Sequence, residues 1–116
     1  MELSESILTS IKKMLGIEED YTHFDPDIIM HINSVFMTLF QLGIGPKGFN
    51  IVDDEATWSD YTTNIDILQA IKPYIYAKVR LAFDPPSSGT LVELMKQQVA
   101  EMEWRLNVMV DPTEME

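Results

Sequence analysis

The chain has 116 residues and a mass of 13.3 kDa, which is the size of one domain. It carries 19 acidic and 8 basic residues, and its net charge of −11 repels nucleic-acid phosphates and anionic lipids. The absence of cysteine excludes disulfides, thiolate metal sites and cysteine nucleophiles. A hydrophobic fraction of 46% predicts a folded chain.

Two features bear on the location of the protein. The N-terminus, Met-Glu-Leu-Ser-Glu-Ser, is acidic where a signal peptide needs positive charge, so we expect the chain to stay in the cytoplasm. The most apolar window, residues 28–44, is interrupted by polar side chains and falls short of the roughly 20 apolar residues that cross a bilayer. This window predicts a core helix rather than a membrane anchor.

Two helices are predicted in the first part of the chain. Ser4 is placed to begin the first, whose apolar residues recur at intervals of three and four until Gly16 ends it. Asp25 as the N-cap and Pro26 as the first helical residue begin the second. This second helix extends to about Gly43, and its apolar stripe is wide enough to face neighbours on more than one side.

A glycine-rich segment follows the second helix. Three glycines and a proline among residues 43–48 predict the main loop of the protein. Residues 49–52 are bulky enough to pair as a short strand, so a small loop or β-hairpin excursion is predicted between helices two and three. Trp58 and Tyr61 then lie on a single helical turn, and we expect their rings to pack this excursion against the body.

Two longer helices are predicted in the second part of the chain. Residues 64–83 carry two adjacent apolar stripes, as is typical of a central helix, and Pro73 predicts a kink or a break there. The last helix begins near residues 88–90 and extends to about Val110. Residues 111–116 form an acidic tail that we expect to be mobile. The sequence therefore predicts one all-α domain over residues 1–110, a bundle of about four principal helices.

The last helix also carries apolar residues opposite its core-facing stripe. Ala100, Trp104 and Val108 lie four residues apart, and a tryptophan stands where a solvated helix would carry a polar residue. This pattern predicts a second packing surface, and the three residues form a candidate subunit interface.

The sequence contains no pattern typical of catalysis or metal binding. His23 and His31 are the only candidates for acid–base chemistry at neutral pH, and the single pair of His31 with Asp27 supplies too few ligands for a metal. The acidic run over residues 53–55 lacks the alternating ligands of a calcium loop, and the glycines of residues 43–48 do not match a phosphate-binding loop. We therefore predict no catalytic, cofactor-binding or metal-binding residues.

Four stretches carry a family resemblance when taken together. They are Leu-Gly-Ile-Gly-Pro-Lys-Gly-Phe, Thr-Trp-Ser-Asp-Tyr, Tyr-Ile-Tyr-Ala-Lys-Val-Arg-Leu-Ala-Phe-Asp-Pro-Pro and Glu-Trp-Arg-Leu-Asn-Val. With the short acidic helix at the start, they resemble the head–tail connector (adaptor) proteins of tailed phages. The resemblance extends over nearly the whole chain and is most specific in residues 41–49, 74–86 and 102–108. It implies a structural protein of the virion rather than an enzyme.

The resemblance also implies a set of partners. Proteins of this family form a homo-oligomeric ring below the portal protein, extend the DNA conduit and offer a surface to a tail-completion protein at the head–tail junction. DNA passes through such a ring without specific binding, which suits the negative charge of this chain, and no membrane is involved. The glycine-rich loop and the excursion after it become a candidate docking loop. Its candidate residues are Gly45, Pro46, Lys47, Gly48, Phe49, Trp58 and Tyr61.

Two other functions compete with the connector interpretation. An acidic soluble regulator or nucleic-acid mimic would bind the basic cleft of a protein partner and would line its acids along one face, whereas the acids of this chain are scattered over several predicted elements. A small hydrolase would need a concave pocket with a perturbed acid–base pair, and the sequence shows no such group. The connector interpretation accounts for most of the sequence.

Overall fold

The computed structural model describes residues 2–110, and over this range the chain is all-helical, as predicted. A short 3-10 turn, Glu2–Ser4, comes first. The helices that follow within this range are α1 (Ile7–Met14), α2 (Asp25–Gln41), α3 (Trp58–Tyr61), α4 (Ile65–Phe83) and α5 (Gly89–Val110). Of these, α1, α2, α4 and α5 are the four principal helices expected from the sequence. The tail that was expected to be mobile, residues 111–116, lies outside the described residues.

The predicted strand over residues 49–52 is wrong, and so is the β-hairpin. Between residues 2 and 110 no strand forms, and the β-type pairing seen there is an isolated antiparallel bridge between Ser6 and Thr57. The physical reason is Asn33 on α2. Its side-chain amide donates to the Ile51 carbonyl oxygen at 2.9 Å, and its amide oxygen accepts from the Ile51 N–H at 2.8 Å. Because one side chain satisfies both backbone groups of the buried Ile51, this segment needs no partner strand.

Side-chain hydrogen bonds cap the starts of α1 and α4, whereas α2 begins with a proline in its first turn. Ser6, not the predicted Ser4, caps α1 by accepting a backbone N–H bond within its first turn. Asp25 is the first residue of α2 rather than its cap, and Pro26 follows it in the first turn. Asn64 caps α4, as the predicted start of that helix implies, because its side-chain oxygen accepts from two backbone N–H groups of the first turn.

The central helix of the domain is α4, which packs against both α2 and α5. The sequence predicted a kink or a break at Pro73, and α4 continues through this residue without a break. Pro73 is exposed, so the missing hydrogen bond falls on the solvent side while the buried stripe continues on both sides of it. The buried stripes that meet between these helices are Ile28, Ile32, Val35 and Leu39 of α2 and Leu68, Ile71, Ile75 and Val79 of α4.

A buried lysine fixes the connection between α1 and α2. Lys12 is only 2% exposed, and its Nζ lies 2.9 Å from Oδ1 of Asp25. The same ammonium group donates to the carbonyl oxygens of Glu19 at 3.0 Å and Tyr21 at 2.8 Å. Such charge-assisted bonds are stronger than neutral ones, so residues 15–24 take a defined course around this side chain although no helix or strand includes them.

Candidate interaction surfaces

The glycine-rich loop leaves the end of α2 through a series of left-handed turns. Gly43, Gly45 and Gly48 have φ angles of +96°, +88° and +75°, a region that glycine enters without the steric cost of a Cβ. Gly45 is constrained a second time, because a Cβ at this position would collide with the side chain of Tyr61. Pro46, Lys47 and their neighbours over residues 45–48 are exposed and form the tip of the loop.

Three aromatic rings hold the base of this loop on the helical body. Phe49 lies edge-on to Phe36 of α2 with a centroid separation of 5.0 Å, and Tyr61 lies 4.7 Å from Phe36 and 5.1 Å from Phe49. The Tyr61 hydroxyl donates to the carbonyl oxygen of Ile44 at 3.2 Å. Burial raises the pKa of Tyr61 to about 12, since its phenolate would lose its hydration. The buried Tyr61 therefore anchors the loop instead of facing a partner.

Trp58 anchors the far end of the loop to α1. The indole is fully buried, and its Nε1–H donates to the Ser10 hydroxyl oxygen at 3.0 Å. The Ile7 N–H donates to the Ala56 carbonyl oxygen at 2.9 Å, and the Trp58 N–H donates to the Glu5 carbonyl oxygen at 3.1 Å. This arrangement agrees with the expectation that Trp58 and Tyr61 pack the excursion against the body. Of the candidate docking residues, those at 45–48 are exposed and Phe49 is half-buried.

The candidate subunit interface on α5 divides into two parts. Trp104 is 64% exposed and Ala100 is exposed beside it, but Val108 is buried and only 8% exposed. Residues four apart on an α-helix advance by about 40° around its axis, so Val108 lies about 80° from Ala100 and the three residues do not form one straight line along the helix. The surface that the structure offers is therefore Ala100 and Trp104, flanked by the exposed pair of Arg105 and Glu101 at 2.7 Å.

A polar contact holds α5 in register on α4. The Tyr74 hydroxyl donates to Oε2 of Glu103 at 2.7 Å, and Nζ of Lys78 lies 3.9 Å from the same oxygen. Burial, together with the hydrogen bond and charge of Glu103, raises the pKa of Tyr74. Trp104, the next residue along α5, is exposed.

A groove that sequence reasoning missed lies between the α1–α2 connection and the end of α4. It has a volume of about 780 Å³, and its apolar lining includes Ile17, Tyr21, Phe24 and Phe83. The Phe24 ring lies 5.8 Å from Tyr21 and 5.3 Å from Phe83. The groove brings together two segments that are far apart in sequence, the α1–α2 connection and the end of α4. Lys12, which lies within the apolar stripe of α1, is a local sign that this connection is ordered.

The histidines lie at the border of this groove. The His23 ring is 4.9 Å from Phe24, and the His31 ring is 6.4 Å from Phe83. Among residues 2–110 no group of three histidine or acidic side chains is placed to bind a metal ion. In the same part of the chain, no helix has both the length and the apolar character needed to span a bilayer.

The described residues thus define a small all-helical domain with a projecting loop, an exposed tryptophan and an aromatic groove, features typical of a protein that assembles with other proteins. The profile of the family described as phage connector protein matches residues 7–113. The match covers most of the chain, and the protein belongs to this phage connector family. No curated protein and no solved structure matches the chain.

Proposed function

We propose that this protein is a structural component of the phage head–tail junction, where it forms a ring below the portal protein and extends the DNA conduit toward the tail. The observation that carries this proposal is the family match over residues 7–113. The all-helical fold with two separate exposed surfaces supports it, because a connector must contact both its own copies and unlike proteins. In this proposal the chain has no catalytic role and needs no cofactor.

Ring formation assigns a role to the exposed face of α5. Subunits in a closed ring contact each other through two unlike surfaces, one on each side. Trp104 and Ala100 supply one of them, since a large exposed aromatic side chain is typical of the centre of an interface. The contact between Tyr74 and Glu103 keeps this surface in a fixed orientation before assembly.

The docking of the ring on the portal protein or on a tail-completion protein is assigned to the loop tip, residues 45–48. This tip is exposed, and the loop behind it is anchored by Tyr61 and Trp58, so it projects from the body without needing to fold on contact. Lys47 is the only basic residue in residues 45–61 and gives the tip a local positive charge on an acidic protein. The host cytoplasm is the proposed site of assembly.

The proposal is tested by determining whether the chain is present in virions and whether tails attach without it. In cells producing the phage that encodes it, a null allele is complemented with tagged wild-type protein, and purified particles are analysed by mass spectrometry and electron microscopy. We expect the chain in tailed particles, co-purification with portal and tail-completion proteins, and tailless heads without the gene. Infectious, tailed particles from the null strain would refute the proposal. Co-purification with a DNA-binding host protein and no virion component would instead favour the acidic regulator.

A matched pair of lysine variants tests the docking loop within the same system. Lys47→Glu reverses the charge at the exposed tip, and Lys13→Glu makes the same change on an exposed position of α1. We expect Lys47→Glu to reduce incorporation into particles at least about tenfold and Lys13→Glu to leave it unchanged. Equal incorporation of the two variants would exclude the tip as the docking element.

A further inference from the structure

We propose that a pocket between α2, α4 and α5 binds a carboxylate side chain of a partner protein. The pocket has a volume of about 410 Å³, and each of the three helices contributes one basic residue to its lining: His31 from α2, Lys78 from α4 and Lys96 from α5. We call it the basic pocket. The inference goes beyond the proposed function, which assigns this surface no role.

The lining of the basic pocket reverses the charge balance of the chain. The sequence has 19 acidic and 8 basic residues, yet no aspartate or glutamate of residues 2–110 lines this pocket. The pocket therefore concentrates positive charge on an acidic protein. The Ser34 hydroxyl and the His31 ring add hydrogen-bond donors, since histidine carries an N–H in both of its protonation states. These groups are suited to a ligand with anionic oxygens.

Both lysines retain N–H donors for such a ligand. Nζ of Lys78 lies 3.9 Å from Oε2 of Glu103, an oxygen that already accepts a hydrogen bond of 2.7 Å from the Tyr74 hydroxyl. Nζ of Lys96 lies 3.6 Å from Oε1 of Glu93. Both distances are longer than a hydrogen bond, and ion pairs this accessible to water contribute little to stability. A carboxylate that enters the pocket therefore has donors on both lysines available to it.

The apolar part of the lining favours a protein side chain over other anions. Val35, Leu81 and Val99 also line the pocket. The methylene groups of an aspartate or glutamate can contact them, whereas inorganic phosphate has no apolar part. The net charge of −11 repels duplex DNA, whereas a single carboxylate is screened from acids more than about 8 Å away at physiological salt. The occupant that fits is therefore an acidic side chain of another polypeptide.

Nuclear magnetic resonance titration of the purified, isotope-labelled protein tests this chemistry directly. The probes are the peptide acetyl-Ala-Glu-Leu-Ala-amide and a matched peptide with glutamine in place of glutamate. We expect saturable shifts of the Ser34, Lys78 and Lys96 signals with the glutamate peptide and none with the glutamine peptide. Equal shifts from the two peptides would overturn the inference. Larger shifts of these signals with inorganic phosphate or a DNA duplex at the same concentration would also overturn it, because the ligand would then be a phosphate.

A matched pair of lysine variants separates the pocket from the overall charge. Lys96→Gln and Lys13→Gln each remove one positive charge from an exposed lysine, but only Lys96 lines the pocket. We expect Lys96→Gln to weaken binding of the glutamate peptide at least about fivefold and Lys13→Gln to change it less than about twofold. Adding Lys78→Gln to Lys96→Gln should weaken binding further. Equal effects of Lys96→Gln and Lys13→Gln would show that overall charge attracts the peptide and would overturn the inference.

Carbodiimide treatment of purified phage particles identifies the partner. The reagent joins a lysine amine to a carboxylate in contact with it as an amide, and it takes up the water that is released. We expect mass spectrometry to find Lys78 or Lys96 joined to an aspartate or glutamate of another polypeptide. Links confined to Glu103 and Glu93 of the same chain would overturn the inference and leave the connector function standing. Particles that lack the chain refute the connector function, and the peptide titration then decides the inference by itself.

Discussion

Replacement of Gly45 by alanine tests whether the loop is fixed by the ring of Tyr61. The backbone at Gly45 has a φ of +88°, where an L side chain costs roughly 1–2 kcal/mol. The added Cβ would also collide with the Tyr61 side chain, and such overpacking costs typically about 1–3 kcal/mol. If Tyr61 moves aside, its hydrogen bond to Ile44 is lost as well, at about 1 kcal/mol. We therefore expect Gly45→Ala to lower the free energy of unfolding by about 2–6 kcal/mol.

Gly48→Ala is the matched control for this substitution. Gly48 has a similar φ of +75°, but a Cβ there meets no atom within 4 Å, so only the backbone cost of roughly 1–2 kcal/mol applies. The two variants are compared by urea unfolding followed by far-ultraviolet circular dichroism, which gives the difference directly when the m-values agree. If Gly45→Ala destabilises no more than Gly48→Ala, then Tyr61 does not pack against the loop backbone and the anchoring argument fails.

Substitutions at three further sites test other contacts, each by the same urea unfolding. Lys12→Met leaves Asp25 without its buried partner and should cost about 3–5 kcal/mol, and adding Asp25→Asn should restore part of the loss. Trp58→Phe removes a buried hydrogen bond and core volume and should cost about 2 kcal/mol, whereas Trp104→Phe on the surface should change stability by less than about 0.5 kcal/mol. Because burial raises the pKa of Tyr61 to about 12 from its usual 10.0, the folded chain holds this proton more tightly, so stability should fall between these pH values and should fall less in Tyr61→Phe.

Helix positions follow from the sequence where a local signal specifies them. The start of α4 was predicted at about residue 64 from its apolar stripes, and in the structure the side-chain oxygen of Asn64 caps the helix there. Its end at Phe83 agrees with Pro85 and Pro86, since the residue before a proline avoids helical angles. Both signals depend on a few adjacent residues, so no knowledge of the tertiary structure was required.

The sequence-based predictions failed where a residue distant in the sequence determines the local structure. Residues 49–52 have the composition of a strand, but Asn33 on α2 binds both backbone groups of Ile51 in place of a neighbouring strand. The spacing of Ala100, Trp104 and Val108 suggested one exposed face, yet Val108 is buried in the structure. A single sequence records neither of these packing relationships.

The groove is the part of the candidate site that the sequence could not reveal. Its lining comes from the α1–α2 connection and the end of α4, which are about 60 residues apart along the chain and are brought together by the fold. The burial of Lys12 had a recognisable signal, since this residue follows Leu8 by four positions and so lies on the same stripe of α1. A lysine within an apolar stripe indicates that its ammonium group has partners to bind.

The two hydrogen bonds between Asn33 and Ile51 also bear on the tendency of the protein to aggregate. An extended segment with unpaired backbone groups is a template on which other chains add strands, and this hazard grows with the local concentration of the protein. Because the Asn33 side chain binds both the N–H and the carbonyl oxygen of Ile51, these backbone groups are not available to pair with a strand of another chain. Any contact with another protein at this point must then be made by side chains, which can change in sequence without exposing backbone groups that favour aggregation.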